Sequence, residues 1–164
     1  MAAIGAAATQ KIVDILAGGT GLPFTVASLK ESENVELAEI GAAQVASQNI
    51  AFEVAERTAG VLYPAVYVYC EGLNNQLKEK FRTFSGKAQM AAEVRVTYDS
   101  FNTLGRDLQL YASAIGQVLD SHRGDWGGGM FYAGGYQVEF GPIKRGGKNF
   151  LQTAKISFEL DVSY

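Results

Sequence analysis

The sequence predicts an α+β fold: a mostly antiparallel sheet in the order helix–three strands–helix–two strands, with a long C-terminal hairpin. Three observations predict it. From Phe150 to Tyr164 apolar residues alternate with polar ones: Phe150, Ala154, Ile156, Phe158, Leu160, Val162 and Tyr164 share one parity, interrupted only by Gln152. That period of two marks a strand with one buried and one wet face. Between Thr103 and Ser121, Leu104, Leu108, Tyr111, Ile115, Val118 and Leu119 recur at three- and four-residue spacing, the stripe of an amphipathic helix. Separated runs of strands and helices place the chain among α+β folds.

Taken in order, Ala6 to Leu16 predicts a short helix ended by Gly18-Gly19, and Gly21-Leu22-Pro23 predicts a turn. Asn49–Arg57, with Ile50, Phe52 and Val54 on one parity, predicts a strand. Tyr63–Glu71, rich in aromatic and β-branched residues, predicts a second with Pro64 at its start. Glu93–Asp99 predicts a third. Ser100 or Asn102 is the expected N-cap of the main helix. Gly105 and Gly116 inside that helix each cost about 1 kcal/mol relative to Ala, which implies a close-packed face. Met130–Phe140 and Phe150–Tyr164 are the last two strands, joined through Gly141–Asn149. At about 3.3 Å per residue the final strand would run roughly 50 Å, so part of it is expected to meet another subunit.

With 164 residues and 48% hydrophobic composition the chain suits one globular domain. A net charge of −3 provides no global attraction for nucleic acid. One cysteine, Cys70, excludes an internal disulfide and a cysteine zinc cage, and its apolar neighbours make a structural thiol the expectation. The N-terminal segment lacks the leading cations of a secretory signal, and Lys11 and Asp14 interrupt it too early for a membrane span. A soluble, reducing compartment is the expectation.

Little catalytic chemistry is encoded, and the expectation is a non-enzyme with no metal and no cofactor. His122, the single histidine, falls at the end of the main helix, where a capping role suits the dipole. The glutamates Glu31, Glu33, Glu36 and Glu39 are read as a solvated face, although with a metal they would serve a small hydrolase. Gly124–Gly129 has no following Lys-Ser or Lys-Thr and precedes a strand, so it is no phosphate loop. Lys144, Arg145 and Lys148 surround Gly146-Gly147 on a hairpin tip that is expected to meet a partner or face a lumen. Phe81, Phe84 and Trp126 are candidate interface anchors.

Several motifs resemble the tail terminator, or tail completion, proteins of tailed bacteriophages. They are Tyr63-Pro-Ala-Val-Tyr-Val68, Lys80-Phe-Arg-Thr-Phe-Ser-Gly86, Gly134-Gly-Tyr-Gln-Val138 and Gly146-Gly-Lys-Asn-Phe-Leu-Gln-Thr-Ala-Lys155. Residues 50 to 164 carry the resemblance within a single domain of 1–164, and 28–47 departs from it as an insertion or elaborated loop. The resemblance implies a structural virion protein, assembled in the host cytoplasm, that forms a ring, typically a hexamer, at the head-proximal end of the tail. Such a ring stops tube polymerisation and provides the head–tail joining surface. Its implied partners are further copies, the tail tube protein and a neck or connector protein. DNA would cross the lumen with weak nonspecific contact at most, and no membrane is involved. A tail tube or other neck component is the alternative.

Overall fold

The computed structural model describes residues 3–51, 54–55, 60–146 and 148–164. Among them are three α-helices and eight strands: α1 (Ile4–Ala17), α2 (Leu22–Ser32), β1 (Val45–Ala46), β2 (Ala65–Asn75), β3 (Ser85–Tyr98), α3 (Leu104–Ser121), β4 (Gly124–Gly127), β5 (Met130–Tyr132), β6 (Gln137–Phe140), β7 (Lys144–Gly146) and β8 (Asn149–Ser163). The sheet is mixed. β1 runs parallel to β2, and the order β1-β2-β3-β8-β5-β4 is completed by β6 and β7, which also pair with β8. The expected mostly antiparallel sheet, in the order helix–three strands–helix–two strands, is therefore corrected.

Each departure has a local cause. Pro23 signals a turn in sequence, yet it lies in the first turn of α2, where its missing N–H costs nothing. The Thr25 hydroxyl donates to the Gly21 carbonyl at 2.9 Å and steadies that turn. The single expected strand Met130–Phe140 is split into β5 and β6 because Gly134 and Gly135 adopt φ of 99° and 92°. The strand expected at Asn49–Arg57 is absent at residues 49–51, residues 54 and 55 are helical, and 52–53 and 56–57 lie outside the described residues. The main helix starts on Thr103 without a side-chain cap; Ser100 Oγ instead accepts from the Asn102 N–H at 3.4 Å.

The helical layer covers one sheet face. α1 packs on β2, while α3 packs on β3 and β8 and carries α2 on its side. Register then sorts every strand residue. Gly86, Ala88, Met90, Ala92, Val94 and Val96 of β3 pair with Val162, Leu160, Phe158, Ile156, Ala154 and Gln152 of β8, and these face the helices. The stripe Leu104, Leu108, Tyr111, Ile115, Val118 and Leu119 is fully buried against them. At about 1.5–3 kcal/mol for each fully buried large aliphatic or aromatic side chain, this interface is the main source of stability.

The long final strand needs no second subunit. β3 pairs with it from Ser85↔Ser163 to Tyr98↔Phe150, and β5, β6 and β7 occupy its other edge in turn. Strand pairing with another copy is therefore not required by its length, whereas packing of part of it against another copy stays an expectation. The unpaired edge lies elsewhere. β1 covers β2 only at Val66 and Tyr67, which leaves the outer edge from Val68 to Asn75 without a strand partner among the described residues. No single helix among the described residues is long and apolar enough to cross a membrane.

Candidate functional site

Residues of the opposite parity form the sheet face away from the helices, a grid of paired charges. Lys87 reaches Asp161 at 3.0 Å and Glu159 at 3.4 Å, Lys155 bonds Glu71, and Gln89 bonds Glu159. The Gln89 amide is the first cause of the lowered Glu159 pKa, with Lys87 adding to it. Exposed pairs of this kind contribute about 0–1 kcal/mol each and mainly keep the face polar.

One end of that face differs. Arg95 is only 3% exposed. Its Nε donates to Glu93 Oε1 at 2.8 Å, its Nη2 donates to the Ile50 carbonyl at 2.5 Å, and its guanidinium lies 4.5 Å from the Tyr67 ring centroid. Its Nη1 has no hydrogen-bond partner among the described residues. A buried, unpaired N–H on a cation is costly, which sets Arg95 apart from the solvated cations of the same face. Arg95 lines a pocket of about 270 Å³ together with Asn49, Ile50, Glu93, Lys144 and Thr153.

The basic hairpin forms the rim. Lys144 and Arg145 lie in β7 and Lys148 in the turn before β8, all exposed and without an ion pair among the described residues. Register places Lys144 opposite Leu151, on the Arg95 face, and Arg145 opposite Phe150. The hairpin-tip expectation agrees with this placement. Arg95 was missed because Glu93-Val-Arg95 reads as an ordinary polar parity, and burial of that parity comes from the residues around Ile50, distant in sequence.

A second polar centre sits on the helical layer, where the acidic stretch crosses α3. Leu37 and Ile40 are buried, and the Tyr111 hydroxyl donates to the Ala38 carbonyl at 2.6 Å, tying the stretch to the helix. Beside it Asp107, 3% exposed, accepts the Tyr98 hydroxyl at 2.6 Å and Nε and Nη2 of Arg106 at 2.9 and 2.7 Å. The adjoining pocket, about 640 Å³, holds Lys30, Glu36, Glu39 and Arg106 on its walls. All of Asp107's close partners are donors already engaged, so this cluster is structural. No group of three or more potential metal ligands occurs among the described residues.

These tyrosines set an alkaline limit. Burial, followed by Asp107, pushes Tyr98 far above its ordinary value; burial does the same to Tyr111. Burial also pushes Tyr69 and Tyr132 up to about 12 from 10.0. A phenol protonated more tightly in the folded state supports the fold fully below the unfolded value and loses that support as pH rises through the folded one. Stability is expected to fall from about pH 10 upward and to be lost through about pH 12. Circular dichroism recorded with phenolate absorbance checks this; Tyr69 and Tyr132 ionising near pH 10 in an intact fold would refute it.

The remaining residues sort clearly. Phe84, 3% exposed, and Trp126, 8% exposed, belong to the chain's own core, so neither is a surface anchor. Trp126 stacks with Tyr132 at 5.4 Å and its indole N–H donates to the His122 carbonyl at 2.5 Å. Phe81 is fully exposed with φ of 64° and keeps its candidacy. With exposed Leu73 and Leu77 it forms an apolar end of the β2–β3 hairpin, at the opposite end of β3 from Lys144. Gly116 is approached by the Tyr136 hydroxyl, 2.4 Å from where a Cβ would stand, whereas at Gly105 nothing lies closer than Gln152 Oε1 at 3.8 Å. The close packing at Gly116 is thus made by one side chain, that of Tyr136.

Cys70 contacts Gly5 of α1, and burial raises its pKa, as suits a structural thiol. The His122 ring nitrogen meets the Val118 carbonyl at 2.8 Å at the helix end. No bond joins this histidine to the cysteine, and a nucleophile–base pair is not formed. No family model matches the chain, and no curated protein matches it either.

Proposed function

We propose that this chain is a structural subunit of a bacteriophage neck, forming a ring at the head-proximal end of the tail. There it stops tube polymerisation and offers the surface on which the head docks. The observation that carries the reading is the β2–β3 hairpin end. The motif Lys80–Gly86, one of those resembling tail terminators, contributes the fully exposed Phe81, next to exposed Leu73 and Leu77. Exposed apolar residues at one hairpin end, beside a strand edge with no strand partner among the described residues, are the kind of surface that protein partners cover.

The two ends of the sheet are chemically unlike, apolar at the β2–β3 turn and basic at the β7–β8 turn. A ring placed between a tube and a head needs two different docking surfaces, and this asymmetry supplies them. The free edge of β2 also favours a second reading, a tube component that extends by strand addition. One experiment separates the two: purified chain added to polymerising tail-tube subunits, viewed by negative stain. Tubes closed at one end by a ring, with growth arrested, are expected. Unarrested growth without rings would overturn the reading, and open filaments of the chain alone would favour the tube alternative. Phe81→Ser is expected to weaken capping at least tenfold while leaving the fold unchanged, since that side chain touches nothing the core needs.

A further inference from the structure

Two surfaces of opposite charge lie on opposite layers of this chain. On the helical layer, Glu31, Glu33, Glu36 and Glu39 are all exposed, and among the described residues only Glu36 forms an ion pair, with Lys30 at 3.9 Å. Tyr111 and buried Leu37 and Ile40 hold that stretch against α3, so it is a displayed ridge with a fixed seat. On the other layer lies the Arg95 pocket, rimmed by Lys144. The sheet face between them carries charges that are neutralised in pairs, from which these two patches stand out.

We propose that copies of this chain associate head to tail, the Glu31–Glu39 ridge of one docking on the Arg95–Lys144 pocket of the next. The inference rests on the ring reading above and names the contact that closes it. Its independent support is Arg95 Nη1, an unpartnered donor on a side chain only 3% exposed that lines the receiving pocket. A carboxylate entering there is held by Lys144 at the rim in a charge-assisted contact, beside the guanidinium whose Nη1 lacks an acceptor among the described residues. Glu93 already neutralises one positive charge in the pocket, so a single incoming carboxylate balances Lys144.

The occupant follows from charge and symmetry. A two-fold contact would have to set ridge on pocket twice across one axis, for which patches on opposite layers are poorly placed. A heterologous contact sets acid on base and repeats in one sense around an axis, which is what a ring requires. The chain's net charge of −3 is small enough that copies do not repel strongly at working salt.

The test uses the full chain in sedimentation velocity at low and high salt. Wild type is expected to associate at low salt, with the association constant falling at least tenfold as salt is raised. Lys144→Glu with Arg145→Glu, and separately Glu36→Lys with Glu39→Lys, are expected to be monomeric with wild-type circular dichroism. An equimolar mixture of the two variants pairs opposite charges at every contact and is expected to regain association. Variants that associate like wild type, or a mixture that stays monomeric, would overturn the contact. So would loss of duplex DNA binding in Lys144→Glu/Arg145→Glu with self-association unchanged, because the hairpin would then serve nucleic acid. A wild-type chain monomeric at low salt overturns it too. Rings on tubes in the capping experiment, formed equally by both variants, would leave the ring reading standing without this interface.

Discussion

Phe158→Ala is expected to lower the unfolding free energy by about 3–5 kcal/mol. Phe158 is 4% exposed and pairs across β8–β3 with Met90, which is fully buried. Its ring meets Tyr132 edge-on, with centroids 5.7 Å apart and planes at 73°. Tyr132 in turn packs on Trp126, so one aromatic chain joins β8, β5 and β4. Removing the ring leaves a cavity that two strands, tied by ladder bonds on both edges of β8, are poorly placed to fill. Domains of this size have about 5–15 kcal/mol in total, so the loss is readily measured by urea unfolding. A change under about 1 kcal/mol would mean that the junction repacks and that the aromatic chain is not rigid.

Gly86→Ala is the second large effect, expected at about 2–3 kcal/mol and concentrated at one end of the sheet. A Cβ on Gly86 would stand 1.9 Å from the Asn74 carbonyl oxygen and 3.0 Å from the Gln76 nitrogen. Both are backbone atoms, so no side chain can swing aside to make room. Gly86 pairs with Asn75 on one side and Val162 on the other. The adjacent turn depends on that position. Asn75 Oδ1 accepts the N–H groups of Leu77 and Ser85 at 3.2 and 3.0 Å, and its amide donates to the Thr83 carbonyl at 3.0 Å. Amide exchange over 76–85 should rise far more than over β8. Gly72→Ala is the control, since nothing lies within 4 Å of its added Cβ. Equal protection in both variants would show that the hairpin end yields without cost. If the apolar end carrying Phe81 docks on a tube, Gly86→Ala should weaken capping as well.

The candidate site was legible in part. Lys144, Arg145 and Lys148 were found from composition around Gly146-Gly147, because a Gly-rich, charged stretch between two strand patterns places itself on a turn. Arg95 was not. A charged residue at a polar position of an alternating strand looks solvated, and only the approach of Ile50, 45 residues away, encloses it. Phe84 and Trp126 failed in the other direction: each lies among glycines and charges, yet the chain brings the end of β8 or the ring of Tyr132 over it.

Periodicity carried what concerned single elements. The alternation in β8 and the stripe of α3 specify which residues face the core, because side-chain direction follows backbone geometry alone. α1 was visible for the same reason. Pairing was not, since which strand lies beside which depends on contacts between residues far apart in sequence. Tertiary structure therefore decided that β1 runs parallel to β2, that Pro23 starts a helix, and that the long β8 finds partners for both its edges within one chain. It also decided where the charges fall, the glutamate ridge on one layer and the Arg95 pocket on the other. Sequence determines the sign of each patch, and only the packing of helices on a single sheet face sets them on opposite sides.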